Sequence, residues 1–142
     1  MNAGRAAKRK SLGKAEYEKL SGFRYALRRF LRFSEEAAAA VGLTPNQHQA
    51  LLAIKGYPGR DHITNGELAE RLQIKHHSAV GLANRLEAQG LIVRERSDKD
   101  RREVHLTLTP SGAELLEQLT AAHKEELRRL APQLSSLLES VK

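Results

Sequence analysis

The sequence contains no cysteine and no tryptophan, and aromatic residues occupy only 4% of its 142 positions. The absence of cysteine excludes disulfide bonds, thiolate zinc sites and thiols that sense oxidants. The sequence also has no apolar run near the roughly 20 residues that cross a bilayer, and no apolar segment follows the charges between Met1 and Lys10. We therefore expect a soluble protein of the cytoplasm that has no membrane partner.

Catalytic motifs are absent as well. A glycine-rich phosphate loop and a Gly-x-Ser-x-Gly element are both missing, and serine, histidine and aspartate occur without a recognisable context. His76 and His77 are adjacent and would diverge on a helix, so they are poorly placed to share a metal ion. The other histidines, which lack the spacing of metal ligands, are His48, His62, His105 and His123. The sequence predicts neither an enzyme nor a cofactor or metal site.

Positive charge is in excess. The chain has 24 lysines and arginines against 17 acidic residues, a formal net charge of +7 and a pI of about 10.0. Such a surface attracts polyanions, and nucleic acid is the strongest candidate for a chain without a membrane segment. Residues 1–14 form a basic arm without an apolar face, and its cations are Arg5, Lys8, Arg9, Lys10 and Lys14. The arm either contacts phosphate or is a solvated terminus.

Periodic apolar residues and capping patterns predict a series of helices. Apolar steps of three and four residues indicate a long helix from Ala15 to Val41. Two capping boxes, Thr44 to Gln47 and Thr64 to Glu67, predict the starts of two short helices. Another helix is expected from about His76 to Gln89 after a tight turn, with Gly90 as its C-terminal cap.

The rest of the chain reads as a hairpin followed by helix. Alternating apolar and polar residues predict strands at Leu91–Arg96 and Val104–Leu108, joined by a cationic tip at Ser97–Arg102. Thr109 and Pro110 then begin a helical remainder, which Pro132 is expected to break or kink into two pieces. The predicted fold is mainly α-helical with a small β-hairpin.

The short helices and the hairpin have the layout of a winged helix-turn-helix, in which one helix braces a second that enters the major groove. Outward polar residues on that second helix suit contacts with phosphates or base edges: His76, His77, Ser78, Asn84 and Arg85. The hairpin tip would supply a wing for the minor groove: Lys99, Asp100, Arg101 and Arg102. There, Asp100 would pair with Arg102 and fix its direction. Ordinary solvated surface is the alternative for both sets.

From about Ala15 to the C-terminus the sequence resembles the MarR family of bacterial transcription regulators. The segments that carry the resemblance are ITNGELAERLQI and NRLEAQGLIVRERSDKDRREVHLTLTPSGAELL. The resemblance implies a winged helix within a helical dimer, the helix from His76 as recognition helix, and Arg102 held toward the minor groove by Asp100. Two positions depart from the family pattern: Lys75 occupies the helix start where a capping residue is common, and Gly81 lies in mid-helix.

These features predict four segments: a basic arm at 1–14, an N-terminal dimerisation helix at 15–43, a winged helix-turn-helix domain at 44–109 and C-terminal dimerisation helices at 110–142. The terminal helices have more apolar positions than a winged domain of about 60 residues could bury by itself. We therefore expect a homodimer on a near-palindromic double-stranded DNA operator, with half-sites about one helical turn apart.

The predicted function is sequence-specific regulation of transcription, with repression that a small molecule modulates as the favoured form. The resemblance implies an aromatic or phenolic effector in a crevice near Phe23, Tyr25, Phe30 and His48, and core packing is the other interpretation of these side chains. Two other classes stay open. One is a protein that coats DNA without reading sequence, and the other is an interaction adaptor without DNA affinity at physiological salt.

Overall fold

The computed structural model describes residues 11–142, so residues 1–10 of the predicted basic arm lie outside the described residues. Within the described part run five helices and three strands. In chain order they are α1 (Lys14–Ala40), α2 (Pro45–Lys55), β1 (His62–Ile63), α3 (Asn65–Leu72), α4 (His76–Ala88), β2 (Ile92–Arg96), β3 (Val104–Leu108) and α5 (Pro110–Glu139). The predicted mainly helical fold with a β-hairpin is confirmed.

Two compact units make up the described residues. The central unit, residues 33–125, contains α2, α3, α4 and all three strands. The terminal unit combines residues 11–32 with residues 126–142, which are parts of α1 and α5 and their ends. Among the described residues, no helix has the length and apolar character needed to cross a bilayer. The dimerisation roles and the four segment boundaries expected from the sequence stay predictions.

Both predicted capping boxes are present. Thr44 Oγ1 accepts the Gln47 backbone N–H at 3.1 Å, and Gln47 Oε1 accepts the Thr44 backbone N–H at 2.9 Å. Thr64 and Glu67 exchange the same two bonds, also at 3.1 and 2.9 Å. Each box satisfies N–H groups that have no partner within the first turn of a helix. Local hydrogen bonding therefore determines where α2 and α3 begin.

The core of the central unit lies between α2, α3, α4 and the sheet. Its largest fully buried side chains are Leu51, Ile54, Ile63, Leu68, Leu86, Ile92 and Leu106. The apolar stripe of α4 is buried throughout and consists of Ala79, Leu82, Ala83 and Leu86. Because this stripe faces the core, the opposite face of α4 is turned toward solvent.

The sheet contains three antiparallel strands in the order β1-β3-β2. Strands β2 and β3 form the predicted hairpin, with Ile92 opposite Leu108 and Arg96 opposite Val104. Strand β1 pairs His62 with Thr107 and ties the segment before α3 to the hairpin. This strand was not predicted, because two residues are too few to show an alternating pattern.

The junction between the hairpin and α5 depends on a close approach at Gly112. The Thr109 hydroxyl donates to the Gly90 carbonyl at 2.7 Å and accepts the Gly112 backbone N–H at 3.1 Å. The Thr109 backbone N–H donates to the Leu91 carbonyl at 3.0 Å. A Cβ atom on Gly112 would lie only 2.1 Å from that same Leu91 oxygen. Steric exclusion therefore explains glycine three residues after Thr109.

Of the break or kink predicted at Pro132, the break is wrong. Helix α5 is a single helix of 30 residues with Pro132 inside it, so residues 110–142 contain one helix and not two. An interior proline removes one backbone hydrogen bond and costs about 3 kcal/mol. Around it, Leu130 is buried and Leu134 and Leu137 are half-buried. Burial of side chains on both sides of the proline offsets this cost and favours a continuous helix.

Candidate nucleic-acid interface

The exposed face of α4 carries the polar residues that the sequence assigns to DNA contact. All five predicted side chains are exposed, and they are His76, His77, Ser78, Asn84 and Arg85. The first three occupy the first turn of the helix, whereas Asn84 and Arg85 lie in its third turn. The fold thus presents this set on one side of α4, and their part in DNA binding stays a prediction.

The start of α4 is electrostatically suited to an anion. Lys75 is the N-cap residue, and no side-chain hydrogen bond caps the helix there. The first backbone N–H groups of a helix carry partial positive charge, which an adjacent lysine reinforces. A phosphate group near this end would be stabilised by both sources of charge. The departure at Lys75 noted in the sequence is therefore compatible with a DNA-facing helix start.

A groove of about 430 Å³ brings the helix start and the wing together. From the helices it is lined by Thr64, Asn65, Gly66 and His76, and from the hairpin by Asp100, Arg102, Glu103 and Val104. His76 at the start of α4 and two wing residues, Asp100 and Arg102, therefore border the same groove of the central unit.

The wing, residues Ser97–Arg102, holds Arg102 in a defined direction. Asp100 Oδ1 accepts the Arg102 backbone N–H at 3.0 Å and lies 3.4 Å from Arg102 Nε. The Arg102 side chain is 93% exposed. The predicted pairing of Asp100 with Arg102 is confirmed. An exposed pair of this kind contributes little to folding stability, but it orients a guanidinium whose outer nitrogens remain donors.

Hydrogen bonds within the tip make the wing a defined turn. The Ser97 backbone N–H donates to the Glu103 carbonyl, and the Glu103 backbone N–H donates to the Asp100 carbonyl, both at 2.9 Å. Arg96 Nη1 donates to the Arg101 carbonyl at 2.6 Å. Lys99 and Arg101 are exposed on this turn, as predicted for solvent-facing wing cations.

Arg94 is a candidate functional residue that was not predicted from the sequence. It lies on β2, and its Nη2 donates a hydrogen bond to Asn84 Oδ1 on α4. Its Nε lies 3.5 Å from Glu87 Oε1. Asn84, the predicted base reader, therefore already has one intramolecular partner. Only packing brings residues ten positions apart into contact here, so no sequence pattern signals the pair.

Comparison with known proteins identifies the family. Residues 41–103 match the sequence model described as the MarR family. Over 111 residues, the chain is 31% identical to an organic hydroperoxide resistance transcriptional regulator of Bacillus subtilis, with 71% of this chain and 74% of that protein covered. The chain belongs to the MarR family. Proteins of the MarR family are transcription regulators and not enzymes, in agreement with the interpretation of the sequence.

Two further likenesses concern length and fold. The MarR-family chain is 33% identical over 94 residues to the HTH-type transcriptional repressor MdtR of Bacillus subtilis, with 66% of this chain and 59% of the repressor covered. The chain thus spans less than two thirds of that repressor. A mutant of Staphylococcus aureus MepR was solved bound to an oligodeoxyribonucleotide. Its structure matches this chain with a TM-score of 0.67 and 22% identity, and the match covers 92% of this chain and 100% of the mutant. This likeness confirms the fold.

The residues predicted for an effector are distributed over both units of this MarR-family protein. In the terminal unit, Phe23 lines a cleft of about 410 Å³, Phe30 is half-buried, and Tyr25 is exposed with the Arg29 guanidinium 5.6 Å from its ring centre. In the central unit, His48 is buried. Their assignment to an effector site stays a prediction.

His48 is part of a buried polar cluster in the central unit. Its ring centre lies 4.8 Å from that of His123, whose Nδ1 donates to the Leu119 carbonyl at 2.7 Å and whose Nε2 lies 2.8 Å from Ser34 Oγ. Burial lowers the pKa of His48 below its usual value, and the neighbouring His123 lowers it further. Within residues 11–142, no group of three or more histidines and carboxylates is arranged as a metal site.

The terminal unit exposes a large share of the apolar side chains. Eleven large hydrophobic residues are exposed among the described residues, and only Leu52 and Val93 of these belong to the central unit. The nine in the terminal unit, which we call the terminal apolar surface, are Leu12, Tyr17, Leu20, Tyr25, Leu27, Leu31, Leu127, Leu138 and Val141. Apolar side chains that are exposed in contiguous patches mark sites of protein interaction.

Proposed function

We propose that this MarR-family chain is a homodimeric, sequence-specific DNA-binding regulator of transcription that acts in the cytoplasm. The observation that carries the proposal is the placement of the exposed polar face of α4 beside a wing whose Arg102 is oriented by Asp100. The major groove of B-form DNA admits an α-helix, and arginine suits the narrow, electronegative minor groove next to it. In this proposal the central unit contacts the major groove through α4 and the minor groove through Arg102.

The two parts of this surface have different tasks in the proposal. Asn84 and Arg85 read base edges, because amide and guanidinium groups donate hydrogen bonds to base acceptors. His76, His77 and Ser78 at the helix start contact phosphate or the nearest bases. In the wing, Lys99 and Arg101 contact phosphate and Arg102 enters the minor groove. The MepR mutant of the same fold was solved with bound oligodeoxyribonucleotide, which supports DNA binding as the proposed activity.

Dimerisation is the proposed role of the terminal apolar surface. A twofold pair of chains would bury these side chains and present two α4 helices to DNA. Recognition helices related in this way meet half-sites about 34–36 Å apart, which is one helical turn. The proposed operator is therefore near-palindromic.

Repression modulated by a small effector is the proposed mode of regulation. One relative, MdtR, is named a transcriptional repressor, which supports repression. For the effector, we propose an aromatic or phenolic molecule bound in the terminal unit, with Phe23, Tyr25 and Phe30 as its candidate contacts. The assignment of His48, in the central unit, stays a prediction. The cleft beside Phe23, about 410 Å³, is within the size range of small-molecule sites. Release of bound DNA by a panel of phenols and aromatic acids tests this part.

Selection from random duplex DNA at physiological salt tests the function. Purified protein retains a fraction of the library, and the enriched sequences are compared after several rounds. A shared motif with two inverted half-sites about one turn apart is expected. Retention without any shared motif would instead identify a protein that coats DNA through its charge. No retention at all would favour an interaction adaptor, and either result would overturn the proposal.

A further inference from the structure

The hydrogen bond between Arg94 and Asn84 has a consequence for base recognition. We infer that Arg94 is a positioning residue that determines which base Asn84 reads. The inference rests on the proposed function, because it assumes that the exposed face of α4 meets base edges. It adds a specificity determinant from β2, outside the recognition helix.

The geometry connects three side chains. Arg94 Nη2 donates to Asn84 Oδ1, and Arg94 Nε lies 3.5 Å from Glu87 Oε1. The Arg94 side chain is only 29% exposed, and its Nε is buried without a hydrogen-bond partner that meets the usual geometry. Asn84 is exposed on α4. A largely covered guanidinium thus reaches from the strand to an exposed amide on the helix.

The chemistry of the pair selects one orientation of the Asn84 amide. A guanidinium has only donors, so it turns the amide oxygen Oδ1 toward β2 and leaves the Nδ2 amino group to face outward. Charge-assisted hydrogen bonds are stronger than neutral ones, so Arg94 holds this orientation more firmly than a neutral neighbour would. Glu87 beside Nε in turn restrains the guanidinium.

This orientation favours base acceptors over adenine. Asparagine reads adenine by donating to N7 while Oδ1 accepts from the N6 amino group. Arg94 places a cation and a competing donor at Oδ1, so the second of these bonds is weakened. Guanine offers two acceptors, O6 and N7, and thymine offers O4. We therefore expect guanine or thymine, and not adenine, at the base that faces Asn84.

A purely structural role would have a different signature. A brace between α4 and β2 would affect thermal stability and would change the affinity for all sequences to the same extent. It would not change the identity of the selected base. Base identity at one position is therefore the readout that separates the two roles.

The experiment applies random-duplex selection to the parent and to variants of the full chain. In Arg94→Met the Asn84 oxygen is released, and adenine should gain about tenfold over guanine or thymine at one position of each half-site. Arg94→Lys keeps a cationic donor and should retain most of the parent preference. In Asn84→Ala the preference at this position should disappear, and adding Arg94→Met to Asn84→Ala should change nothing further there.

A matched control is available on the same strand. Arg96→Met removes the same charge from β2, but Arg96 donates to the Arg101 carbonyl in the wing and not to α4. This variant should lower affinity and leave the base opposite Asn84 unchanged. Circular dichroism melting shows whether each variant is folded. If Arg94→Met is unfolded, Arg94→Gln replaces it, since glutamine is neutral and too short to bridge Asn84 and Glu87.

The outcomes distinguish the inference from the function it rests on. If the parent selects a motif and the neutral Arg94 variant selects the same base at every position, the inference is overturned and the function stands. A shift at that position that persists in the Asn84→Ala background also overturns it, because Arg94 would then act by another route. A parent that selects no motif overturns the proposed function itself.

Discussion

Gly112 shows at the residue scale how one position determines the placement of two elements. The Leu91 carbonyl would lie 2.1 Å from a Cβ atom at position 112, well inside van der Waals contact. The same carbonyl accepts the Thr109 N–H at 3.0 Å, so it has little freedom to move away. The start of α5 therefore packs on Leu91, in the segment between α4 and β2, through a residue without a side chain.

Gly112→Ala is expected to lower the free energy of unfolding by about 1–3 kcal/mol, the usual cost of forcing extra atoms into a packed site. Gly81→Ala is the matched control, because a Cβ there meets only Arg85 Nη1 at an ordinary 3.5 Å. Alanine in mid-helix should raise stability by up to about 1 kcal/mol. Urea unfolding measures both. Equal effects of the two substitutions would show that the contact with Leu91 is not limiting.

The surroundings of Gly81 show whether packing explains a glycine in mid-helix. Packing within the chain does not require glycine at this position. A close approach of DNA to α4 would explain the glycine, and we expect such an approach in the proposed complex.

The wing is the element whose geometry most directly supports a function. Its turn is closed by bonds between Ser97, Glu103 and Asp100, and the Asp100 carboxylate then anchors Arg102. A flexible loop of the same composition would lose more side-chain entropy on binding. Preorganisation of an exposed arginine lowers that cost.

Asp100→Ala is expected to reduce the preference for A·T-rich flanks, although it makes the wing more positive. Loss of the anchor leaves Arg102 without a fixed direction, and narrow minor grooves reward a correctly placed arginine. Asp98→Ala makes the same charge change on the same turn and should raise nonspecific affinity without affecting the flanks. Arg102→Ala should weaken binding and reduce the flank preference together. Fluorescence anisotropy on A·T-rich and G·C-rich flanks measures these effects.

The minor-groove assignment has a clear counter-result. If Asp100→Ala and Asp98→Ala change binding alike, total charge and not orientation explains the wing. If Arg102→Ala binds both flanks as the parent does, Arg102 does not enter the groove.

At the scale of the whole molecule, the main feature is the unequal distribution of exposed apolar side chains. The central unit has a complete core, whereas the terminal unit leaves residues such as Leu20 and Leu138 more than half exposed. Removing such surface from water contributes about 25 cal/mol per Å². We therefore expect the chain to associate through the terminal apolar surface, as proposed above.

Leu20→Glu combined with Leu138→Glu is expected to convert the dimer to a monomer, because burying two carboxylates in an apolar interface is strongly unfavourable. Affinity for a two-half-site duplex should fall at least tenfold, since one monomer contacts one half-site. Leu52→Glu, an exposed leucine of the central unit, is the control and should remain dimeric. Light scattering and sedimentation measure mass. A parent that is monomeric at micromolar concentration would contradict the expected assembly.

Interactions between residues close together in the sequence determined the helix starts, the buried face of α4 and the pairing in the wing. The capping boxes at Thr44 and Thr64 and the apolar spacing of α4 depend on residues within a few positions of one another, so their consequences can be predicted without a fold. The pairing of Asp100 with Arg102 spans only two positions and was predicted for the same reason. The net positive charge and the resemblance to the MarR family can likewise be recognised from the sequence without a structure.

Contacts between distant segments were decided only by the tertiary structure. The strand at His62 exists because β3 lies beside it, and α5 continues through Pro132, with Leu130 buried before the proline and Leu134 and Leu137 half-buried after it. Arg94 meets Asn84 because packing places β2 against α4. Sequence patterns report the preferences of short segments, whereas these features depend on the free energy of burying side chains against partners far along the chain.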